Sequence, residues 1–338
     1  MKKCKNCGGA MVFDPNTSNL KCIKCNEQVE FSKPANYAWH NFDMMTPTPE
    51  ADYTPTEQKL HCSNCGAVFT GKNYSISDTC EYCGSNLVME KEDDTTIDAV
   101  IPFSFDKESA KSKFKSGLKK KWFLPNKFKK EPPSSTIESV YIPAYLANTK
   151  TSSLYNGELY NKHTSSNGEE HLSYFKISGV YEDVANNLLA ECSSELNQAT
   201  IDQIRPFDVS KAKKYKPEYL QGYSVEYYDK KLNDCKEVFK RQATIDIRRQ
   251  ILNKYSYDGV NFLRINTTYS DSAYCKIILP TYRVKYTYNK KSYATFMNGD
   301  NGKVGGNLPR SAFKITALVL GITAIVGILG YFVIKYLI

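Results

Sequence analysis

Eight cysteines in the first quarter of the chain fall into four Cys-x-x-Cys pairs, and no other feature restricts the possible folds so far. Cys4-Lys5-Asn6-Cys7 is answered by Cys22-Ile23-Lys24-Cys25, and Cys62-Ser63-Asn64-Cys65 by Cys80-Glu81-Tyr82-Cys83, with fourteen residues between the pairs of each set. The second set repeats the first 58 residues later. A tight Cys-x-x-Cys turn places two sulfurs on one side of a tetrahedron, and a hairpin of that length brings a second turn opposite the first. Each set is therefore expected to be a zinc ribbon, at 1–31 and 59–90. One structural Zn²⁺ is expected on Cys4, Cys7, Cys22 and Cys25, and a second on Cys62, Cys65, Cys80 and Cys83. Four thiolates leave no position for water or substrate, so neither ion is expected to catalyse hydrolysis.

The residues around the pairs agree. Gly8, Gly66 and Gly84 each follow the second cysteine of a pair, where a left-handed residue lets the backbone curl around the sulfur, and Asn26 takes the remaining such place. Asp14-Pro15-Asn16 and Thr70-Gly71-Lys72-Asn73 are suitable hairpin turns. A redox dithiol would want one pair at a helix start in a βαβ unit, and an iron–sulfur cluster is less suited to the ribbon spacing. Eleven cysteines in 338 residues are too sparse for a secreted disulfide scaffold, and no apolar stretch follows Met1-Lys2-Lys3. The N-terminal part is expected in the reducing cytoplasm.

A proline-bearing segment, 32–58, separates the ribbons and reads as an irregular linker, with little apolar periodicity apart from Tyr37, Trp39 and Phe42. Residues 97–300 read as an α+β domain with antiparallel strands. Asp106 is expected to cap a helix running to about Lys121, with Ala110, Phe114, Leu118 and Trp122 at four-residue intervals and Pro125 ending it. Val140 to Leu146 and Thr151 to Asn161 read as two strands, and Ile277 to Tyr288 with Ser292 to Met297 as a hairpin about Asn289-Lys290-Lys291. Between them Pro217 to Tyr255 reads as chiefly helical, with Leu232, Cys235, Val238 and Phe239 on one face.

Residues 301–314 are expected to form a juxtamembrane linker, and 315–334 run for twenty residues without a charge between Lys314 and Lys335. A helix of that length spans about 30 Å, the hydrocarbon thickness of a bilayer, and is expected to be a single-pass transmembrane tail anchor. Lys303, Arg310 and Lys314 precede it and Lys335 alone follows, which places the soluble part on the cytoplasmic side. Ala317, Gly321 and Ala324, or Thr323 with Gly327, would let a second helix approach, leaving a homo-oligomer open.

The formal charge of +9 is concentrated. Residues Lys107 to Lys130 hold ten lysines against Glu108 as the single acid. Three readings of this segment remain, in order: a solvated helix docked by its apolar face, a contact with anionic lipid, and a nucleic-acid surface. Cys192, Cys235 and Cys275 have no Cys-x-x-Cys partners and read as buried small hydrophobes, and His40, His163 and His171 as ordinary polar residues; His61, beside Cys62, is a competing ligand that the complete cysteine set disfavours. No Ser-His-Asp arrangement, phosphate loop or dinucleotide fingerprint is present, so an enzyme is not expected.

Beyond the cysteine pairs, several stretches carry a resemblance: Ile101-Pro102-Phe103, Lys119-Lys120-Lys121-Trp122-Phe123, Val140-Tyr141-Ile142-Pro143-Ala144-Tyr145-Leu146 and Arg205-Pro206-Phe207-Asp208. To these add Pro217-Glu218-Tyr219-Leu220-Gln221-Gly222-Tyr223, Leu279-Pro280-Thr281-Tyr282, Met297-Asn298-Gly299 and Gly302-Lys303-Val304-Gly305-Gly306-Asn307-Leu308-Pro309. Over nearly its whole length the sequence resembles the bacterial TFIIB-type zinc-ribbon membrane proteins, the YdjG-like family. Its departures are Asn26 for a glycine, and Tyr145 and Tyr282 where relatives often carry Trp. Members are often labelled as like the primosomal helicase, a similarity confined to the ribbon. The resemblance implies a membrane-associated adaptor, in some cases linked to SPFH-domain or phage-shock-type membrane-stress partners. The expected function is thus a cytosol-facing adaptor recruiting proteins to a membrane, with a membrane-tethered nucleic-acid-binding ribbon protein as the alternative.

Overall fold

A computed structural model describes residues 3–30, 36–48, 58–62, 67–71, 82, 87–89, 97–130, 132, 135–193, 196–226 and 228–337. In chain order the strands are β1 (Met11–Asp14), β2 (Asn19–Cys22), β3 (Gln28–Val29), β4 (His40–Phe42), β5 (Gln58–Cys62), β6 (Val68–Gly71), β7 (Leu87–Met89) and β8 (Ala99–Val100). There follow helices α1 (Lys107–Lys119) and α2 (Asn126–Lys130), strands β9 (Ser135–Thr164) and β10 (Glu170–Glu191), helix α3 (Gln198–Ile204), and strands β11 (Lys213–Lys214) and β12 (Ser224–Val225). Helix α4 (Leu232–Leu252), strands β13 (Gly259–Tyr288), β14 (Lys291–Asn298) and β15 (Val304–Gly306), and helix α5 (Ala312–Leu337) complete the chain.

The elements gather into two compact units, each drawn from separated stretches. Met1–Pro102, Tyr141–Gln198 and Asp208–Leu279 form the first, and Phe103–Val140, Ala199–Phe207 and Pro280–Ile338 the second.

In the first unit β10, β9 and β13 lie side by side, with β9 and β10 antiparallel from Glu170↔Thr164 to Glu191↔Ala144. From Thr149 to Leu159 every second residue of β9 is buried, the period-two pattern of a strand with one covered face. The buried hydroxyls there find partners across the sheet: Thr149 Oγ1 meets Ser272 Oγ at 2.8 Å, and Ser153 Oγ meets Thr267 Oγ1 at 2.9 Å. Tyr155, Leu159 and Ile177 share one apolar cluster with Leu232, Cys235, Phe239, Ala243, Ile247 and Ile251 of α4. These helical positions recur at three and four residues, one continuous stripe. Val238 packs against the same cluster, while Pro217–Leu220 is a short 3₁₀ turn, so the helix is confined to Leu232–Leu252.

Part of the segment expected to be an irregular linker is integral to this unit. β4 pairs with β13 (Phe42↔Ser272, His40↔Tyr274), and Phe42 and Met44 enter the α4 cluster. Lys236, buried on α4, donates from Nζ to Thr46 O at 2.6 Å and Thr48 Oγ1 at 2.9 Å, which fixes the strap as far as residue 48.

In the second unit β13, β14 and β15 are consecutive neighbours. The expected hairpin is present with a two-residue turn, Asn289 and Lys290 (φ 50° and 62°), which joins Tyr288 to its partner Lys291. The φ > 0 at both positions gives this turn the twist that suits a hairpin. Asp106 caps α1 as expected, accepting from Ser109 N at 2.8 Å, and Ala110, Phe114 and Leu118 are buried. Two expectations here change. The helix stops at Lys119, and Trp122 is exposed instead of sharing the buried face; Pro125 ends nothing and instead immediately precedes α2, accepting at its carbonyl from Lys129 N. Tyr282 Oη donates to Phe105 O at 2.6 Å, and Asn298 Nδ2 donates to Ile204 O and Pro206 O, ties that hold the edges of the unit together.

Helix α5 begins at Ala312, three residues before the expected anchor, and residues 301–314, expected to be a juxtamembrane linker, also hold β15, which pairs with β14. The α5 stretch Ala312–Phe332, 21 residues, is long and apolar enough to cross a membrane, and the described residues do not bury it.

Candidate metal centre

The first ribbon is a three-stranded sheet, β1-β2-β3, with Met11↔Cys22 to Asp14↔Asn19 in register. Asp14 Oδ1 accepts from Asn16 N at 2.9 Å in the Asp14-Pro15-Asn16 turn. Cys4 and Cys7 lie before β1, Cys22 ends β2, and Cys25 follows it. The two turns are built alike. Gly8 N donates to Cys4 O and Asn26 N to Cys22 O, while Cys4 N donates to Gly9 O and Cys22 N to Glu27 O. Gly8 and Asn26, at φ 68° and 61°, are left-handed, which accounts for a glycine at one place and an asparagine at the other.

The four sulfurs lie within 4.8 Å of one another, with Cys4 to Cys25 at 3.6 Å and Cys7 to Cys22 and Cys25 at 3.4 Å. A disulfide would bring two of them to about 2.05 Å. Four sulfurs at about 2.3 Å from one Zn²⁺ would stand about 3.8 Å apart, so the observed spacing fits a tetrahedral ion. Lys24 N also donates to Cys22 Sγ at 3.4 Å, an outer contact that favours thiolate.

Ionisation of the cluster is uneven. Backbone N–H groups of Cys25 and Lys24 draw the Cys22 thiol down to about 6, against the effect of burial. The Glu27 N–H favours thiolate at Cys25, yet the neighbouring Cys7 sulfur and burial push that thiol up to about 12. One thiolate forms readily and opposes the next. A dication removes that opposition, which is the chemical reason such a set takes a metal.

Gly9 was not singled out by the sequence. A Cβ there would stand 2.9 Å from Cys22 Sγ and 3.1 Å from the Lys24 side chain, so only glycine leaves the sulfur its position. The ribbon is also docked. Phe13 N donates to Gln221 O, Tyr223 Oη donates to Phe13 O, and the Phe13 ring lies 5.2 Å from Tyr219 and 6.3 Å from Tyr223. Gly222 faces Val12 so closely that a Cβ there would come within 3.0 Å. The contact is long-range in sequence, and its only prior trace is the aromatic run Tyr219 to Tyr223.

For the second set, the described residues include the strands and not the ligand cluster. β5 lies between β6 and β7, and Cys62 ends β5. Cys65, Cys80 and Cys83 lie outside the described residues, as does the turn after Gly71. The 58-residue repeat is nevertheless visible in the backbone, because the pairing His61↔Val68 stands where Lys3↔Ala10 stands in the first ribbon. The sheets then differ: β3 pairs with the strand entering the second turn, whereas β7 pairs with the strand entering the first.

The remaining cysteines are buried. Cys192 and Cys235 have sulfurs 3.8 Å apart inside the α4 cluster, and burial raises the Cys192 and Cys275 thiols well above their ordinary value. Such thiols are poor nucleophiles. His40 Nε2 lies 3.0 Å from Asp98 Oδ1, a pair that ties β4 to the start of β8.

No protein-family model matches the chain, and no solved structure matches it. It is 26% identical over 331 residues to the uncharacterized protein YdjG of Bacillus subtilis (strain 168), an alignment that spans 95% of this chain and 93% of the other. The chain is thus a distant, near full-length relative of YdjG, with one four-cysteine cluster among its described residues and an apolar helix of membrane-spanning length.

Proposed function

We propose that the protein is a membrane-anchored, cytosol-facing zinc-ribbon adaptor that gathers protein partners at a membrane, without an enzymatic role. The observation that carries this reading is the closed four-sulfur shell of Cys4, Cys7, Cys22 and Cys25 on a module docked through Phe13. A metal held by four thiolates shapes a surface and leaves no coordination site for a reactant. On that module Ile23 and Val29 remain exposed, apolar side chains on a rigid support of the kind that recognises another protein. The second ribbon, with Zn²⁺ on Cys62, Cys65, Cys80 and Cys83, supplies an equivalent module. Helix α5 is the anchor, and Lys303, Arg310 and Lys314 before it set the cytoplasmic side.

The test is crosslinking of the full-length protein in its native membrane, comparing wild type with Ile23→Asp/Val29→Asp and with Cys4→Ser/Cys62→Ser. The reading expects the surface variant to keep its zinc and lose partners. Partners retained in full by both variants would remove the ribbons as the recruiting surface. The nucleic-acid alternative rests on the exposed lysines of α1, and salt-dependent binding of DNA or RNA by the same protein would favour it.

A further inference from the structure

We infer that Trp122 and Phe123 form an interfacial foot that lies among the headgroups of an anionic membrane leaflet, pinned to the first turn of α5. The inference rests on the reading of α5 as a membrane anchor and adds a second point of lipid contact to it.

The geometry lies wholly within the second unit. Lys314, in the first turn of α5, donates from Nζ to Trp122 O at 3.0 Å, Leu124 O at 2.9 Å and Asn126 Oδ1 at 2.7 Å. Ser311 N donates to Phe123 O at 2.8 Å. Four hydrogen bonds therefore hold residues 122–126 beside the point where the apolar helix starts. If that helix spans a bilayer, its first turn lies at the headgroup level, and the segment bonded to it lies there too.

The side chains suit that level. Leu124 is buried and holds the turn, whereas Trp122 and Phe123 are 56% and 42% exposed and stack edge-on at 4.9 Å. Phe313, on the first turn of α5, is 82% exposed. Three exposed aromatic rings around one helix start are costly in water and favoured at a membrane interface, where Trp above all accumulates.

The described charged residues of this stretch are almost all basic. Lys119, Lys120, Lys127 and Lys130 are exposed, Arg310 stands just before α5, and Lys129 Nζ bonds Lys119 O. Burial and then the Lys314 charge hold the Lys129 amine below its ordinary value, as burial and then Lys303 do for Lys121. Glu108, the one acid of residues 107–130, is at the far end of α1, about 16 Å from Lys119. Anionic headgroups complement such a patch. The apolar face of α1 itself is taken, since Ala110, Phe114 and Leu118 are buried, so the lipid contact belongs to the turn after the helix.

Trp39→Phe leaves Trp122 as the sole tryptophan of the full-length chain, which can be reconstituted in phosphatidylcholine vesicles with and without phosphatidylglycerol. Lipids brominated near the headgroup end of the acyl chain should quench Trp122 emission about two-fold, more strongly in the anionic vesicles. Lys119→Gln/Lys120→Gln/Lys121→Gln should remove the difference between the two vesicle types while leaving circular dichroism unchanged. A carbonate-resistant protein whose Trp122 is quenched by aqueous acrylamide and not by lipid bromine would overturn the inference and leave the anchor standing. Shielding from both quenchers would overturn it in favour of a second copy or a protein cover. Release of the protein by carbonate would take down the anchor and this inference together.

Discussion

The first ribbon and helix α5 both carry many apolar side chains and dispose of them in opposite ways. In the ribbon Met11, Phe13 and Leu20 are almost wholly buried, although the module has only a few residues per strand. A sheet that small cannot supply a core of its own. The Tyr219 to Tyr223 segment covers Phe13, and the four cysteine sulfurs are spaced to take a metal that would crosslink the module's turns. In α5 the apolar residues stay exposed through Phe332 among the described residues. On the proposed reading lipid completes that helix, its tails replacing a protein core at no cost in unpaired backbone groups because the helix satisfies its own. On that reading one region closes on itself through metal chemistry, and the other is closed by a bilayer.

Substitutions separate the two regimes. Cys22→Ser should have the largest effect, because zinc binding in such modules is worth about 10–16 kcal/mol and is inseparable from folding. Zinc measured by atomic emission should fall by about one ion per chain, and proteolysis should open the chain between Met11 and Cys25. Phe13→Ala should keep the metal and cost about 3–5 kcal/mol, the usual loss for a buried aromatic, seen as faster amide exchange in β1 and β2. Unchanged exchange would mean that the docking on Tyr219 and Tyr223 contributes little.

Ile322→Lys, near the middle of the apolar stretch, should cost about 2.5–3.5 kcal/mol of insertion and lower the carbonate-resistant fraction, while zinc content stays at wild type. Phe313→Lys at the helix start should be nearly neutral in the same assay. Asn26→Gly should have the smallest effect and the opposite sign. It relieves a left-handed asparagine, and the metal-loaded protein should be more stable by at most about 1 kcal/mol, read from its thermal midpoint.

What the sequence displayed and what it concealed divide by range. The ligand pairs of the first set, the left-handed positions Gly8 and Asn26, the Asp106 cap and the Asn289-Lys290 turn are all set within a few residues, and each was legible. The apolar span was legible for the same reason, since a continuous run needs no partner to be recognised. Strand β9 was read as two pieces because its environment changes along its length. Val140 to Ala147 are buried without a break, whereas Thr149 to Leu159 alternate, and the change of pattern resembled a boundary. Strand β4 was missed because three residues carry no period, and its place is fixed by Ser272 to Tyr274, more than two hundred residues away. Trp122 kept the four-residue spacing of Phe114 and Leu118, but α1 ends before it, so spacing alone assigned it to the wrong face. Gly9 was hidden because its reason is a sulfur from the other turn.

The account turns on a metal shell with no open position. X-ray absorption at the zinc K-edge of the full-length protein tests this directly. The account expects four sulfurs at about 2.3 Å as the average first shell, unchanged by added imidazole or by a change of pH within the folded range. A shell containing oxygen or nitrogen, exchangeable with added ligand, would contradict it and return the ribbons to the list of candidate reaction centres.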